Sequence, residues 1–448
     1  MNNRISFYKY YFKLNKEESI TLLIDFALFL LSLKVFLKFL NDTTNVLSLN
    51  WAVVSVLIGT LCKFIYDTYL IIDKISKYNK ISYGDISELK IDMTELQVSV
   101  LEKQNGFEMY TIDNTPTKKD YVTRSHNLNR LLQSKEITGV RNKIMETNLK
   151  KYLNTEKHHL IPFLQKQYRE AQFQGKKFFN ESKLCLSNDF SVKKTNELTS
   201  KQTNKLHVAV HKGYYYDTFL TNIISGRKFM SNDNDSTIFN LVDQFPIEVA
   251  QNQTFLKPIS LSMMNNEIGV STIGITKDMF LVLWKQNRKA QSSQGMVVPT
   301  GSGSCDWSDL IKCDLNTYDF KKTIESAMQR ELWEESAKTS IRLAAHEIGD
   351  TKMLGFFRWA TKGGKPEFVG VTKLNLDYIE LSSNNHEVYN HSVFEVQDLD
   401  TLDRVIKELL RESDNISTPL HQNLLTLSEV INSEDSVFKE ELITFLGY

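Results

Sequence analysis

The run Arg330-Glu331-Leu332-Trp333-Glu334-Glu335 puts three carboxylates and a guanidinium side by side. On a helix, Glu331, Glu334 and Glu335 stand at i, i+3 and i+4, so the carboxylates share one face. Three anions on adjacent turns repel one another unless a cation sits among them. Hard oxygen ligands of this type suit Mg2+ or Mn2+, and bound Mg2+ in turn recruits substrate phosphate. The plainer reading is a solvated acidic helix face, the usual fate of a charge run.

The flanking elements bear on the choice. Upstream, Ile273-Gly274-Ile275-Thr276 and Met279-Phe280-Leu281-Val282-Leu283-Trp284 are β-rich runs interrupted by Lys277-Asp278, which reads as a hairpin turn. Met296-Val297-Val298 then leads into the Gly/Ser segment Gly301-Ser302-Gly303-Ser304. Downstream, Leu354-Gly355-Phe356-Phe357-Arg358-Trp359, a turn at Gly363-Gly364 and Glu367-Phe368-Val369-Gly370-Val371 make a second hairpin.

Strands, an acidic helix and further strands in this order resemble the Nudix hydrolase superfamily. Its motif is G-x5-E-x7-R-E-U-x-E-E-x-G-U, with U an aliphatic residue. Arg330, Glu331, Leu332, Glu334 and Glu335 match the second half. Asn316 stands at the first Gly, Lys322 at the first Glu, and Ala337-Lys338 at the closing pair. The resemblance spans roughly residues 265 to 430, a domain-sized stretch. It implies Mg2+ on Glu334 and Glu335, Glu331 as a further ligand or general base, and Arg330 holding the helix through an ion pair. A box without its first half can keep the fold and a ligand pocket without the hydrolytic chemistry, so both readings stay open here.

A second feature lies at the other end. Residues 20–40 and 51–72 are each about twenty mostly apolar residues, enough to cross a ~30 Å hydrocarbon core. The polar stretch Asn41 to Asn50 suits a tight connection. No small-residue cleavage site follows the first run, and a second run comes at once, which argues against a signal peptide. Arg4, Lys9, Lys13 and Lys16 precede the pair, and Lys74, Lys77 and Lys80 follow it, whereas the connection holds no Lys or Arg. The basic flanks predict both termini in the cytoplasm and the connection outside. Within the runs, Lys63 and Asp67 pair at i, i+4, Asp25 reaches headgroups, and Lys34 and Lys38 snorkel outward. The functional alternative is that these charges face a water-filled path in an assembled bundle.

The net charge of +0 excludes a global polyanion-binding field, and direct DNA binding is not expected. Cys62, Cys185, Cys305 and Cys313 show no CxxC spacing, so a zinc site or disulfide framework is not expected. Between the two features, Ile86, Leu89, Met93, Leu96 and Val100 form a short heptad-like stripe. Residues 125–179 read helical, with Leu131, Leu132, Ile144, Leu149, Leu160 and Phe163 as core, and Ser187 to Lys205 reads as a linker. A strand at Leu206 to His211 and a helical segment from Tyr214 to Ile224 lead in. Helices at Gln397 to Arg411 and Pro419 to Ile431 close the chain.

The expected fold class is α+β: an N-terminal two-helix transmembrane hairpin, a helical cytosolic stalk or middle region, and a C-terminal Nudix-like α/β/α sandwich. The boundaries are a tail over 1–19, the hairpin over 20–72, the stalk and linker over 73–205 and the Nudix-like domain over 206–448. This combination resembles the transmembrane Nudix-type effectors of bacterial cyclic-oligonucleotide anti-phage systems (CBASS). That resemblance implies a cyclic nucleotide made by a nucleotidyltransferase as ligand, a homo-oligomer, and membrane lipid as target. The stripe would carry the signal to the hairpin, and removal of residues 1–72 would leave ligand binding intact. The alternative is a membrane-anchored Mg2+-dependent Nudix hydrolase of nucleoside diphosphate derivatives.

Overall fold

The two apolar runs become long helices. In a computed structural model, which describes residues 3–42, 51–80, 83–115, 118–176, 178, 180–190, 206–231, 236–287, 293–336, 343–384, 388–411 and 415–448, the chain starts with three helices. They are α1 (Asn3–Leu14), α2 (Lys16–Asp42) and α3 (Trp51–Lys80). With 27 and 30 residues, α2 and α3 run ~40 Å and ~45 Å, and both are apolar and long enough to cross a membrane. Their apolar residues point mostly outward: Leu23, Leu31, Val35, Ile58, Ile65 and Ile72 are exposed. Such a surface is at home in lipid and costly in water.

The two helices pack antiparallel in one register. Glu18 meets Lys74 at 2.5 Å, the Phe29 and Phe64 rings stack at 6.4 Å, and the Ser32 and Thr60 hydroxyls lie 2.8 Å apart. Asp25 takes a hydrogen bond from Lys63, which also reaches Asp67 at 3.3 Å. Asp25 is therefore turned into the helix pair instead of out to headgroups. Its side chain is 3% exposed, and Lys63 supplies the cation that such burial calls for.

The expected tail over 1–19 is α1, a helix docked into the body of the protein. Phe7, Tyr10 and Tyr11 are buried, Phe7 stacks on Tyr168 at 5.3 Å, and Tyr10 packs edge-on against Tyr216 at 5.3 Å. The Tyr10 hydroxyl donates to Asp217 at 2.7 Å. The apolar spacing 7, 10, 11 and 14 is a helical stripe, and burying it against Leu160, Phe163 and Leu220 extends one apolar cluster.

The region 73–205 is mixed, not a helical stalk. Helices His126–Ser134, Lys143–Thr155 and Lys157–Phe173 form as expected, but strands Glu108–Thr115, Lys118–Arg124, Ile137–Arg141 and Ser182–Leu186 lie among them. The expected heptad stripe is not helical: Ile86 ends a strand, Leu96 starts one, and Met93 and Leu96 are buried against Phe245 and Leu256. Ile144, expected in the core, is 74% exposed, because the helix from Lys143 turns Met145 and Leu149 inward instead. The linker expected over Ser187 to Lys205 falls largely outside the described residues, as do the connection over 43–50 and the Ala337-Lys338 pair.

Those extra strands join the region to the rest. A nine-stranded mixed sheet among the described residues runs, strand by strand, Val297–Val298, Phe280–Gln286, Gly269–Ile275, Lys365–Leu374, Gly349–Trp359, Lys118–Arg124 and Glu108–Thr115. Gly301–Ser304 and Val388–Glu395 pair onto its interior strands. A four-stranded sheet places Thr317–Asp319 beside Ile137–Arg141, then Leu206–Tyr214 and Ser182–Leu186. Residue 206 is thus no structural boundary. Strand Gly269–Ile275 is buried throughout: Val270 packs with Ala327 and Phe368 on one face, Ile273 and Ile275 with Leu402 and Leu420 on the other. A buried Arg358–Glu102 ion pair, at 1% and 2% exposure, ties the strand Gly349–Trp359 to the short helix Val100–Gln104.

Candidate functional site

The acidic run lies on the helix Phe320–Ser336, here the box helix. Asp319 caps its start, accepting from the Lys322 backbone N–H at 3.1 Å. Phe320, Ile324, Ala327, Met328 and Leu332 form its buried stripe. The helix lies close over the strand Gly301–Ser304, and this explains the glycines. A Cβ on Gly301 would come within 2.4 Å of the Leu332 Cα, and one on Gly303 within 2.3 Å of the Glu331 carboxyl.

The same strand decides what the carboxylates do. Its pairing with Gly269–Ile275 leaves alternate N–H groups without a strand partner. The Ser302 N–H donates to Glu335 Oε2 at 3.0 Å and the Ser304 N–H to Glu331 Oε1 at 3.2 Å. Alternate strand residues repeat every ~6.6 Å, close to the separation of i, i+4 side chains on a helix. Two glutamates one turn apart therefore close a strand edge that would otherwise be buried and unsatisfied.

Arg330 is the cation among the acids. It makes a two-pronged bond to Asp309 at 3.0 and 2.9 Å, donates to the Ser304 carbonyl at 2.9 Å and to Glu331 at 2.9 Å, and lies 3.8 Å from Glu334. Asp309 is not among the residues singled out from sequence. Its signal is Asp306-x-x-Asp309, whose second carboxylate accepts from the first residue's N–H at 2.7 Å. The surrounding acids hold the Arg330 guanidinium charged against the cost of burial. Burial pushes the Glu331 carboxyl up to about 7, and the nearby Arg330 and Lys183 cations only partly counter it.

Glu331 and Glu334 thus gather at the Arg330 guanidinium, and Glu335 stands apart on the strand backbone. Among the described residues, no three acidic, histidine or cysteine side chains converge in a way that could hold a metal ion. Glu335 faces strand backbone, while Glu331 and Glu334 both face the Arg330 guanidinium, at 2.9 and 3.8 Å, so a cation already stands among the acids. The donor set as arranged does not fit Mg2+. Asn316 and Lys322, at the displaced motif positions, lie at the surface, and Lys322 turns back to Asp319 at 3.5 Å. Asp25, Lys63 and Asp67 form a separate group inside the helix pair.

A cleft of about 310 Å3 opens beside the same strand. Ser302, Ser304, Tyr215 and Phe219 are among the residues that line it. Lys362 lies over the Trp359 ring at 3.3 Å, and Lys365 pairs with Glu367 at 2.6 Å at the cleft's edge. Hydroxyls, ammonium groups and aromatic faces in a space of this size suit a small phosphorylated ligand with a planar ring. Neither the cleft nor its lysines were singled out from sequence, because residues 215–219, 302–304 and 359–367 meet only in three dimensions.

No family model and no curated protein matches the chain. Solved structures give weak likenesses. One is a MutT protein from Methanosarcina mazei Go1, 11% identical over 37% of this chain and 96% of that one, with a TM-score of 0.23. Another is the protein DR0079 from Deinococcus radiodurans, 7% identical over 36% of this chain and 81% of that one, with a TM-score of 0.25. Scores this low carry no argument, and the site rests on its own geometry.

Proposed function

We propose that the chain is a membrane effector of a bacterial anti-phage cyclic-oligonucleotide signalling system. The cleft beside Ser302 and Ser304 takes the cyclic nucleotide, and α2 and α3 span the inner membrane with both termini cytoplasmic. Ligand-driven assembly of several copies then disrupts that membrane. The observation that supports the sensing half is the occupied box: Arg330 and strand N–H groups engage Glu331 and Glu335, two of the three carboxylates a hydrolase would spend on metal. Binding without turnover suffices for sensing, provided the ligand favours one assembly state. Moving that equilibrium from 1:99 to 99:1 takes about 5.5 kcal/mol, which contacts repeated across protomers can supply.

The test is calorimetric titration of the detergent-purified full chain with cyclic dinucleotides and trinucleotides, with and without EDTA. Binding should be indifferent to EDTA and weakened about tenfold by Lys362→Ala, the loss of one charge-assisted phosphate contact. The hydrolase reading has one observation in its favour: a buried Glu331 near pKa 7 is tuned as a general base. Mg2+-dependent phosphate release from nucleoside diphosphate derivatives, abolished by Glu334→Gln, would establish that reading and displace the sensor.

A further inference from the structure

A hollow of about 460 Å3 lies where α1 hands over to α2, at the foot of the helix pair. Lys13 and Lys16 enter it from the helix junction, and Lys150, Lys151 and Lys157 from the two helices packed behind α1. Sequence separates these groups by more than a hundred positions, so basic flanking of a membrane span does not explain their meeting. The only carboxylates lining it are Glu17 and Glu18, and Glu18 is engaged by Lys74 at 2.5 Å. Among the described residues none of the five lysines forms an ion pair. Lys13 instead rests its ammonium on the Tyr214 ring at 3.4 Å. Burial lowers the Lys13 pKa, Asp217 and Glu146 pull it back, and Lys150 and Lys212 push it down further.

Five ammonium groups against two lining carboxylates, one of them engaged by Lys74, call for an anion. One more group points to its kind. Asn15, 2% exposed and lining the hollow, donates through Nδ2 to the Tyr11 carbonyl at 3.0 Å, while its Oδ1 has no partner among the described residues. A ligand filling this hollow therefore offers a negative group to the lysines and a hydroxyl or amine donor to Asn15. We propose that the hollow binds the phosphate and polar end of an acidic phospholipid headgroup, of the phosphatidylglycerol type, and so fixes the depth and tilt of the helix pair. Location selects lipid over a soluble phosphate, because Lys16 is the first residue of α2 and the lipid-facing surface begins there. The proposal rests on the membrane-spanning part of the function proposed above, and not on nucleotide sensing.

The experiment is native mass spectrometry of the detergent-purified full chain. Phosphatidylglycerol, phosphatidylcholine or inorganic phosphate is added in parallel, and carbonate extraction of membranes serves as an independent check of insertion. The expected result is retention of phosphatidylglycerol over phosphatidylcholine and over phosphate. In Lys150→Gln/Lys151→Gln, both exposed positions, that retention should fall about tenfold or more, at roughly tenfold or less per surface lysine. Insertion should be unchanged. Equal retention of both lipids, or no change in the double variant, would overturn the headgroup site. Preferential retention of free phosphate would reassign it to a soluble anion. Release of the wild-type chain by carbonate would instead remove the membrane reading itself.

Discussion

Glu331 is where sequence chemistry and structure meet most directly. A hydrolase uses this glutamate on metal or water; here it closes a strand edge and touches Arg330. Its raised folded pKa has a defined consequence. The carboxyl binds its proton more tightly folded than unfolded, so its contribution to stability is complete below an unfolded pKa near 4.5 and lost as pH climbs through about 7. Glu331→Gln keeps an acceptor for the Ser304 N–H and cannot ionise. Relative to wild type, the variant should gain about 1–3 kcal/mol at pH 8 and little at pH 5. Denaturant titrations of the full chain at both values check this, and a variant losing stability at pH 8 would show that the Arg330 pair outweighs burial. Arg330→Lys gives up the two-pronged bond to Asp309, and a fall of about 1–3 kcal/mol in the same titrations is expected.

Helix α1 belongs to the element scale. Its stripe Phe7, Tyr10, Tyr11 is part of the same core as Phe163 and Leu220, and it leads directly into α2 at Lys16. Packed aromatics therefore join the body to the first apolar helix, and Ile71 and Ile75 of the second pack against the same cluster, as does Ile86. Phe7→Ala should cost about 3–5 kcal/mol of docking and expose α1 to amide exchange, while Tyr8→Ala, at an exposed position, should do neither. Inside the helix pair, Lys63 answers two aspartates. Lys63→Met should reduce the carbonate-resistant fraction of the protein, and adding Asp25→Asn and Asp67→Asn should restore it. Failure of that rescue would mean that Lys63 acts outside this trio.

At the scale of the whole molecule, the strands of 108–124 and 137–141 complete sheets whose other strands lie far along the chain, so the chain is poorly divisible. A chain lacking residues 1–72 keeps the cleft but bares the groove that α1 fills, lined by Tyr168, Tyr216 and Leu220. Deleting the first 72 residues is therefore expected to lower the melting temperature and promote association, in contrast to a simple tail-and-anchor arrangement. A synthetic peptide of residues 3–14 should reverse part of the loss, as a ligand binding only the folded state does.

What the sequence alone determined is what local periodicity and turn chemistry encode. Residues 20–40 and 51–72 had to be long apolar helices, and Lys277-Asp278 and Gly363-Gly364 had to be turns, the latter two glycines at φ 61° and 73°. The acidic helix was equally legible from its spacing. Tertiary structure decided the rest. Asp309 beside Arg330, Asp25 beside Lys63 and the five lysines at the foot of α2 are juxtapositions of distant segments, on which periodicity is silent. Short strands such as Ile137–Arg141 sit between helices and are held by partners far along the chain, so no local pattern announces them. The fate of Glu331 and Glu335 turned on the unpaired edge of one four-residue strand. Carboxylates satisfy whatever donors the fold brings to them, and here those donors are backbone N–H groups and a guanidinium.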